Sequence, residues 1–175
     1  VKDLAAKTPI VPNQVMAAKG GETLLQKAAV QALRRSLIAY AALLTPNVPE
    51  AAVLSGRAIG SLDDMVEAAA LLLTLGPQAV LLKGGHLPGD TVYDVLVSAG
   101  GTEAMQAPRI DSINTHGTGC TLASAVATGL AQGLGLRDAV LRARAYVAEA
   151  IRSAPGIGKG HGPLNHAHTV RRFDS

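Results

Sequence analysis

The 175 residues contain one cysteine, one phenylalanine, three tyrosines and no tryptophan. A single cysteine excludes a disulfide framework and a multi-cysteine zinc site, so a reducing compartment such as the cytoplasm is the expected home. Few aromatics are present for base stacking. The 16 Lys and Arg are scattered against 13 Asp and Glu, so the net charge of +3 does not predict a nucleic-acid surface. No apolar run approaches the roughly twenty residues of a membrane span, and the opening stretch Val1–Asn13 lacks the pattern of a secretory signal. No membrane partner is expected. A hydrophobic fraction of 48% with nearly balanced charge also excludes a disordered chain.

What is abundant is small: 19 glycines, 9 prolines and many Ala, Leu and Val, which let helices lie close on a sheet. Pro9–Val11 reads as the end of a strand entering a loop. Leu24, Leu25, Ala28, Leu33 and Leu37 recur at helical spacing across 23–38, with Arg34 and Arg35 outside. Ala41–Leu44 predicts a brief buried strand stopped by Thr45-Pro46-Asn47. A helix follows over Pro49–Leu54, closed by Gly56. Ser61 predicts an N-cap for a helix to Leu75, with Asp63 and Asp64 in the first turn, where carboxylates suit the dipole. Ala79–Leu82 is a continuous apolar strand of the kind buried on both faces of a parallel sheet. Thr91–Val97 and Glu103–Ile110 predict a hairpin around Gly100-Gly101, and Thr121–Leu134 and Arg137–Ala154 two closing helices separated by Gly135. The alternation predicts one domain, 1–175, with a three-layer α/β fold, a mostly parallel central sheet and ligands at the carboxyl ends of its strands.

The sharpest chemical signal is Asn114-Thr115-His116-Gly117-Thr118-Gly119-Cys120-Thr121. Two glycines permit converging backbone N–H groups, and the helix behind them adds unpaired donors and positive potential, a setting for phosphate. Cys120 falls in the first turn of that helix, where the dipole favours a thiolate able to take a proton from a hydroxyl. The plainer reading is a tight turn with a small filler. Thr45-Pro46-Asn47-Val48-Pro49-Glu50 sets a hydroxyl, an amide and a carboxylate after a strand, enough for Mg²⁺ on a nucleotide, which takes few protein oxygens; Glu50 is equally at home as a first-turn carboxylate. Lys83-Gly84-Gly85-His86 follows another strand and suits a polyphosphate, the alternative being a snorkelling lysine. His86 and His116 read as hydrogen-bonding loop residues. His161, His166 and His168 have no regular metal spacing and read as structural or surface groups.

Together these segments resemble the hydroxymethylpyrimidine and phosphomethylpyrimidine kinases of thiamine biosynthesis, within the ribokinase-like superfamily. The likeness runs in order through Val15-Met16-Ala17-Ala18-Lys19-Gly20-Gly21, Thr45-Pro46-Asn47 with Glu50, and Leu81-Leu82-Lys83-Gly84-Gly85-His86. It continues through Thr115-His116-Gly117-Thr118-Gly119-Cys120 and Gly160-His161-Gly162-Pro163-Leu164-Asn165-His166. The resemblance implies a ribokinase-like fold and ATP-dependent phosphorylation of 4-amino-5-hydroxymethyl-2-methylpyrimidine and then of its monophosphate, with Mg²⁺. It implies Cys120 as general base beside the substrate hydroxyl and Gly117, Thr118 and Gly119 as anion hole. Lys83, Asn47, Thr118 and Arg144 would meet ATP, Thr45 and Glu50 the metal, and Val15 the pyrimidine. A homodimer is implied as well.

Two departures shape the expectation. Relatives usually carry Asp-Pro-Val-Met where this chain reads Asn13-Gln14-Val15-Met16, so an amide replaces a carboxylate near metal and phosphates, to the cost of rate or metal affinity. The resemblance also begins inside the family's fold, so the fold is expected to be incomplete on its N-terminal side, about a third of a typical member lying outside this sequence. Three rivals stand beside the pyrimidine kinase. A pyridoxal kinase shares the Gly-Thr-Gly loop and the Thr-Pro-Asn-x-x-Glu stretch. A degenerate kinase domain would bind nucleotide or pyrimidine without catalysis. A Cys120–His116 hydrolase lacks a third orienting group.

Overall fold

The computed structural model describes residues 8–13, 31–32 and 35–170, and its contacts divide the chain into two compact units, Val1–Arg109 and Ile110–Ser175. Most of the helix expected over 23–38 lies outside the described residues; Ile38–Tyr40 is a short 3-10 turn.

In the first unit, helix α1 spans Val48–Ser55 and α2 spans Leu62–Leu73. Each begins in a reciprocal capping box. Asn47 Oδ1 accepts from the Glu50 N–H at 2.9 Å while Glu50 Oε2 accepts from the Asn47 N–H at 2.9 Å. Ser61 and Asp64 repeat the arrangement, so two otherwise orphaned amides are satisfied at each helix start. Gly56 ends α1 in the left-handed region at φ 73°, which suits a residue without Cβ.

Strands β1 (Ala79–Lys83), β2 (Thr91–Ser98) and β3 (Gly101–Pro108) form one sheet in that order. Both pairs are antiparallel, with Leu81 opposite Leu96 and Val95 opposite Ala104. The other side of β1 carries the segment expected as a strand at Ala41–Leu44. It runs parallel to β1 but meets it only in isolated bridges, Leu44 with Val80 and Asn47 with Lys83. Leu44 N–H donates to the Ala79 carbonyl, Leu81 N–H to that of Leu44 and Lys83 N–H to that of Pro46. Pro46 has no N–H to return, which limits the ladder. Pro9–Val11 likewise forms no regular strand, although the Ile10 carbonyl accepts from Ala42 N–H. Among the described residues, then, the regular strand pairs are antiparallel, and the expected parallel pairing survives as this bridged segment. Ala79–Leu82 are all buried, β1 standing between the bridged segment and β2.

Helices α1 and α2 cover one face of this sheet. Leu54, Met65, Ala68, Ala69 and Leu72 pack with Leu44, Val80, Leu82, Val95 and Val97 in one apolar cluster. Burial of a leucine or valine in such a cluster is worth about 1.5–3 kcal/mol.

The second unit is built on α3 (Thr118–Ala131) and α4 (Leu136–Arg152). A Cβ at Gly129 would lie 2.9 Å from that of Ala139, so glycine is what lets the helices approach here. Helix α3 begins at Thr118, three residues before the expected start, because Gly117 at φ 86° serves as N-cap and the Thr-Gly pair already forms the first helical turn. Among the described residues no helix is long and apolar enough to cross a membrane.

Candidate functional site

Two groups of chemistry-bearing residues are placed by these elements, one in each unit. In the first unit, Thr45, Asn47 and Glu50 stand where the bridged segment turns into α1, and Lys83 ends the neighbouring strand. The Asn47–Lys83 bridge and the Lys83 N–H bond to Pro46, 2.9 Å, hold these two chain segments side by side. Thr45 is fully buried and its hydroxyl donates to the Pro12 carbonyl at 3.4 Å. Glu50 is 8% exposed, one oxygen capping Asn47. The helix-start role open to Glu50 from sequence is therefore realised, and the carboxylate is at the same time fixed in orientation. Among the described residues no cluster of three or more His, Cys, Asp or Glu forms a metal cage. A buried hydroxyl and one oriented carboxylate form a donor set that suits a Mg²⁺ ion carried on nucleotide phosphates with its own waters, and not a dedicated all-protein site.

The loop after Lys83 is closely fastened. Gly84 N–H donates to buried Asp94 at 3.0 Å, and a methyl group at Gly84 would overlap the Tyr93 carbonyl, so only glycine fits. Arg109, just beyond β3, spans the same loop. Its Nε donates to the Gly89 carbonyl at 2.6 Å, one terminal nitrogen to Gly85 at 2.9 Å and the other to Leu87. The planar guanidinium thus gathers three carbonyls of one short loop. Arg109 was not among the residues singled out from sequence, since an arginine at a strand end carries no pattern that distinguishes it from a solvated surface charge.

In the second unit, Gly117, Thr118, Gly119 and Cys120 form the N-cap and first turn of α3. The first intrahelical bond runs from Thr121 N–H to the Gly117 carbonyl at 2.9 Å, and Thr121 Oγ1 donates to that carbonyl at 2.8 Å. Thr118 N–H donates back to the Thr115 carbonyl at 3.4 Å, and the first-turn amides of a helix look to acceptors outside it, the positive end of the dipole beside them. Cys120 is exposed, so the reading of its side chain as a buried filler is set aside.

Cys120 lines a cleft of about 530 Å³ together with Thr121, Ser124, Thr128, Arg142, Tyr146 and His166. Arg142 donates to Gln132 Oε1 at 2.7 Å across the cleft's far end, and Tyr146 donates its hydroxyl to the His166 carbonyl at 3.1 Å. The spacing of Cys120, Ser124 and Thr128, every fourth residue of α3, is a small polar stripe that the helical period makes visible in the sequence. Arg144 is half-buried on α4. Val15 lies outside the described residues, and Asn13 is half-buried.

The phosphomethylpyrimidine kinase family matches residues 1–165. The thiamine biosynthesis bifunctional protein ThiED of Geobacter sulfurreducens is 51% identical over 157 residues, covering 90% of this chain and 32% of that protein. A hydroxymethylpyrimidine/phosphomethylpyrimidine kinase of Streptomyces coelicolor is 44% identical over 168 residues, 95% of this chain and 62% of its own length. The chain thus spans about a third to three-fifths of these curated relatives. Among solved structures, the pyridoxal kinase of Staphylococcus aureus in complex with AMP-PCP superposes with a TM-score of 0.82 at 33% identity, over 89% of this chain and 57% of that one. The fold is the ribokinase-like α/β fold.

Proposed function

This chain belongs to the phosphomethylpyrimidine kinase family, and on that premise we propose that it forms the larger part of one kinase domain that phosphorylates 4-amino-5-hydroxymethyl-2-methylpyrimidine and then its monophosphate with ATP. The observation that carries the reading is the glycine-capped start of α3, where first-turn amides and the exposed Cys120 side chain share one helix end. Phosphoryl transfer asks a protein for positioning and charge stabilisation more than for covalent chemistry.

In this reading the Cys120 thiolate takes the proton of the hydroxymethyl group. The freed oxygen forms its bond to the γ-phosphorus as the bond to the bridging oxygen of ADP breaks. The amides of Gly117, Thr118 and Gly119 hold the equatorial oxygens as their charge grows. Lys83, Asn47, Thr118 and Arg144 contact ATP, and Val15 touches the pyrimidine. Thr45 and Glu50 orient Mg²⁺ and its waters, and the ion, when bound, neutralises phosphate charge. A homodimer working in the cytoplasm completes the proposal.

The test is ADP release coupled to hydroxymethylpyrimidine turnover, run with the complete gene product in Mg-ATP and in parallel with pyridoxal. Turnover of the pyrimidine supports the reading. Exclusive turnover of pyridoxal favours the second reading, a pyridoxal kinase, for which the likeness to the Staphylococcus aureus enzyme speaks. ATP binding without transfer to either alcohol would mark a non-catalytic binding domain.

A further inference from the structure

The motif Gly160-His161-Gly162-Pro163-Leu164-Asn165-His166 has no part in the chemistry above, yet the second unit builds it into the approach to the phosphate cradle. At one end it is moored to the close of α4. Asn165 N–H donates to the Ala150 carbonyl at 2.9 Å, Asn165 Nδ2 donates to Ser153 Oγ at 3.2 Å, and Leu164 is buried. At the other end it lies along the loop that leads into α3. Pro163 bridges in parallel with His116, His116 N–H donates to the Gly162 carbonyl at 3.3 Å, and His161 Nδ1 lies 3.4 Å from the Ile113 carbonyl.

Gly162 is the tight point of this contact. It is buried, and a methyl group there would overlap Asn114 Oδ1 and come within 3.2 Å of the Ile157 carbonyl. Its φ is not in the left-handed region, so the demand for glycine is one of space. Asn114 and His116 directly precede Gly117, whose φ of 86° aims the chain into α3. Within the loop, Asn114 N–H donates to Ser112 Oγ at 3.1 Å and Thr115 N–H to the Ile113 carbonyl at 3.0 Å. The overlap falls first on the Asn114 side chain, and the part of the shift that reaches its backbone has a short, covalently direct path to the amides of Gly117 to Gly119.

We propose that Gly162 is a positioning residue for phosphoryl transfer: the strap from 160 to 165 braces the Asn114–His116 loop against the end of α4 and so fixes the direction of the first-turn amides of α3. The inference rests on the kinase reading above, because it assigns those amides to the transferring phosphoryl. Misdirected amides weaken a contact to the terminal phosphoryl that is made with bound nucleotide and strengthens in the transition state, so the loss belongs in kcat and in nucleotide protection and not in the KM for the alcohol.

The experiment uses the complete gene product and three variants, Gly162→Ala, Asn114→Ala and the pair combined. Two readouts are taken: steady-state ADP release, and the rate at which iodoacetamide alkylates Cys120, followed by peptide mass, with and without AMP-PCP. Gly162→Ala is expected to lower kcat about tenfold or more, with the alcohol KM within about twofold, on the scale of a sub-ångström misplacement. It is also expected to abolish protection of Cys120 by AMP-PCP while leaving the unprotected alkylation rate unchanged. Over Asn114→Ala the same substitution is expected to cost less than about threefold, since the overlapping side-chain atoms are gone.

Equal cost in both backgrounds overturns the proposal. So does wild-type kcat and protection in Gly162→Ala, even where its thermal midpoint falls, which would assign the glycine to packing alone. Absence of both ADP release and AMP-PCP protection in the unsubstituted protein defeats the kinase reading itself and takes the brace with it, an outcome seen before any variant is compared.

Discussion

Cys120 is an exposed thiol at the third position of a helix, lining a cleft rather than filling a core. That placement separates two roles experimentally. If its sulfur accepts the proton of the substrate hydroxyl, Cys120→Ala removes a general base and lowers kcat by about 10²–10⁴-fold. The amides of the same turn are backbone groups and survive the substitution, so the ATP dissociation constant measured by titration calorimetry should hardly move. Near-normal turnover would take the thiolate out of the mechanism. Asn13 offers the converse test. The resemblance implies a carboxylate where its amide stands, and introducing the charge by Asn13→Asp should raise kcat, up to about tenfold for ~1.4 kcal/mol of added transition-state stabilisation. Unchanged kcat at saturating Mg-ATP would mean that another group supplies that charge.

At the scale of elements, the two capping boxes make a physical prediction independent of function. The Asp64 carboxylate accepts N–H bonds from Gly60 and Ser61, each at 3.0 Å. The bond from the Gly60 backbone, followed by that of the Ser61 side chain, holds its pKa below the ordinary 3.8. A carboxyl depressed in the folded state stabilises it at pH above the unfolded value, and that contribution is lost as pH falls through the folded value. Urea unfolding of the wild type and Asp64→Asn should therefore show a gap at neutral pH that closes on the acid side of 3.8. A gap independent of pH would assign the effect to geometry and not to charge. Ser61→Ala, which removes the other half of the box, should cost about 1 kcal/mol.

The same elements show what was legible in the sequence and what was not. Caps, turns and hairpins were readable because Ser61, Gly56 and Gly100-Gly101 act within a few residues of where they sit. The early start of α3 was missed because two glycines look like a turn, whereas a left-handed Gly117 lets the following Thr-Gly be helical. The antiparallel partner of β1 was hidden for another reason: burial on both faces records that a strand is central, not the direction of its neighbours. Of the candidate site, the residues next to glycines or strand ends could be named from the sequence. The reach of Arg109 and the close contact at Gly162 could not, since each meets a loop 20 or more residues away through contacts that only folding creates.

At the scale of the whole molecule, the question is how much of a kinase these 175 residues contain. They cover 95% of themselves but 62% of the Streptomyces coelicolor relative, and 89% of themselves but 57% of the Staphylococcus aureus pyridoxal kinase. The parts proposed to meet phosphate, which are the Lys83 loop, the Glu50 cap and the glycine-capped helix, fall inside the family match of residues 1–165. If the remaining length of the relatives supplies much of the alcohol's pocket, nucleotide affinity and catalysis should part company between the 175-residue chain alone and the same chain joined to the remaining segment of a full-length relative. AMP-PCP should protect Cys120 from alkylation in both, because that protection depends on the amides of α3. Turnover of hydroxymethylpyrimidine should be at least about a hundredfold lower in the 175-residue chain, the scale of a lost near-attack alignment. Equal turnover in the two would place the whole alcohol pocket within residues 1–175. Loss of protection along with turnover would mean that the nucleotide site, too, needs residues beyond those present here.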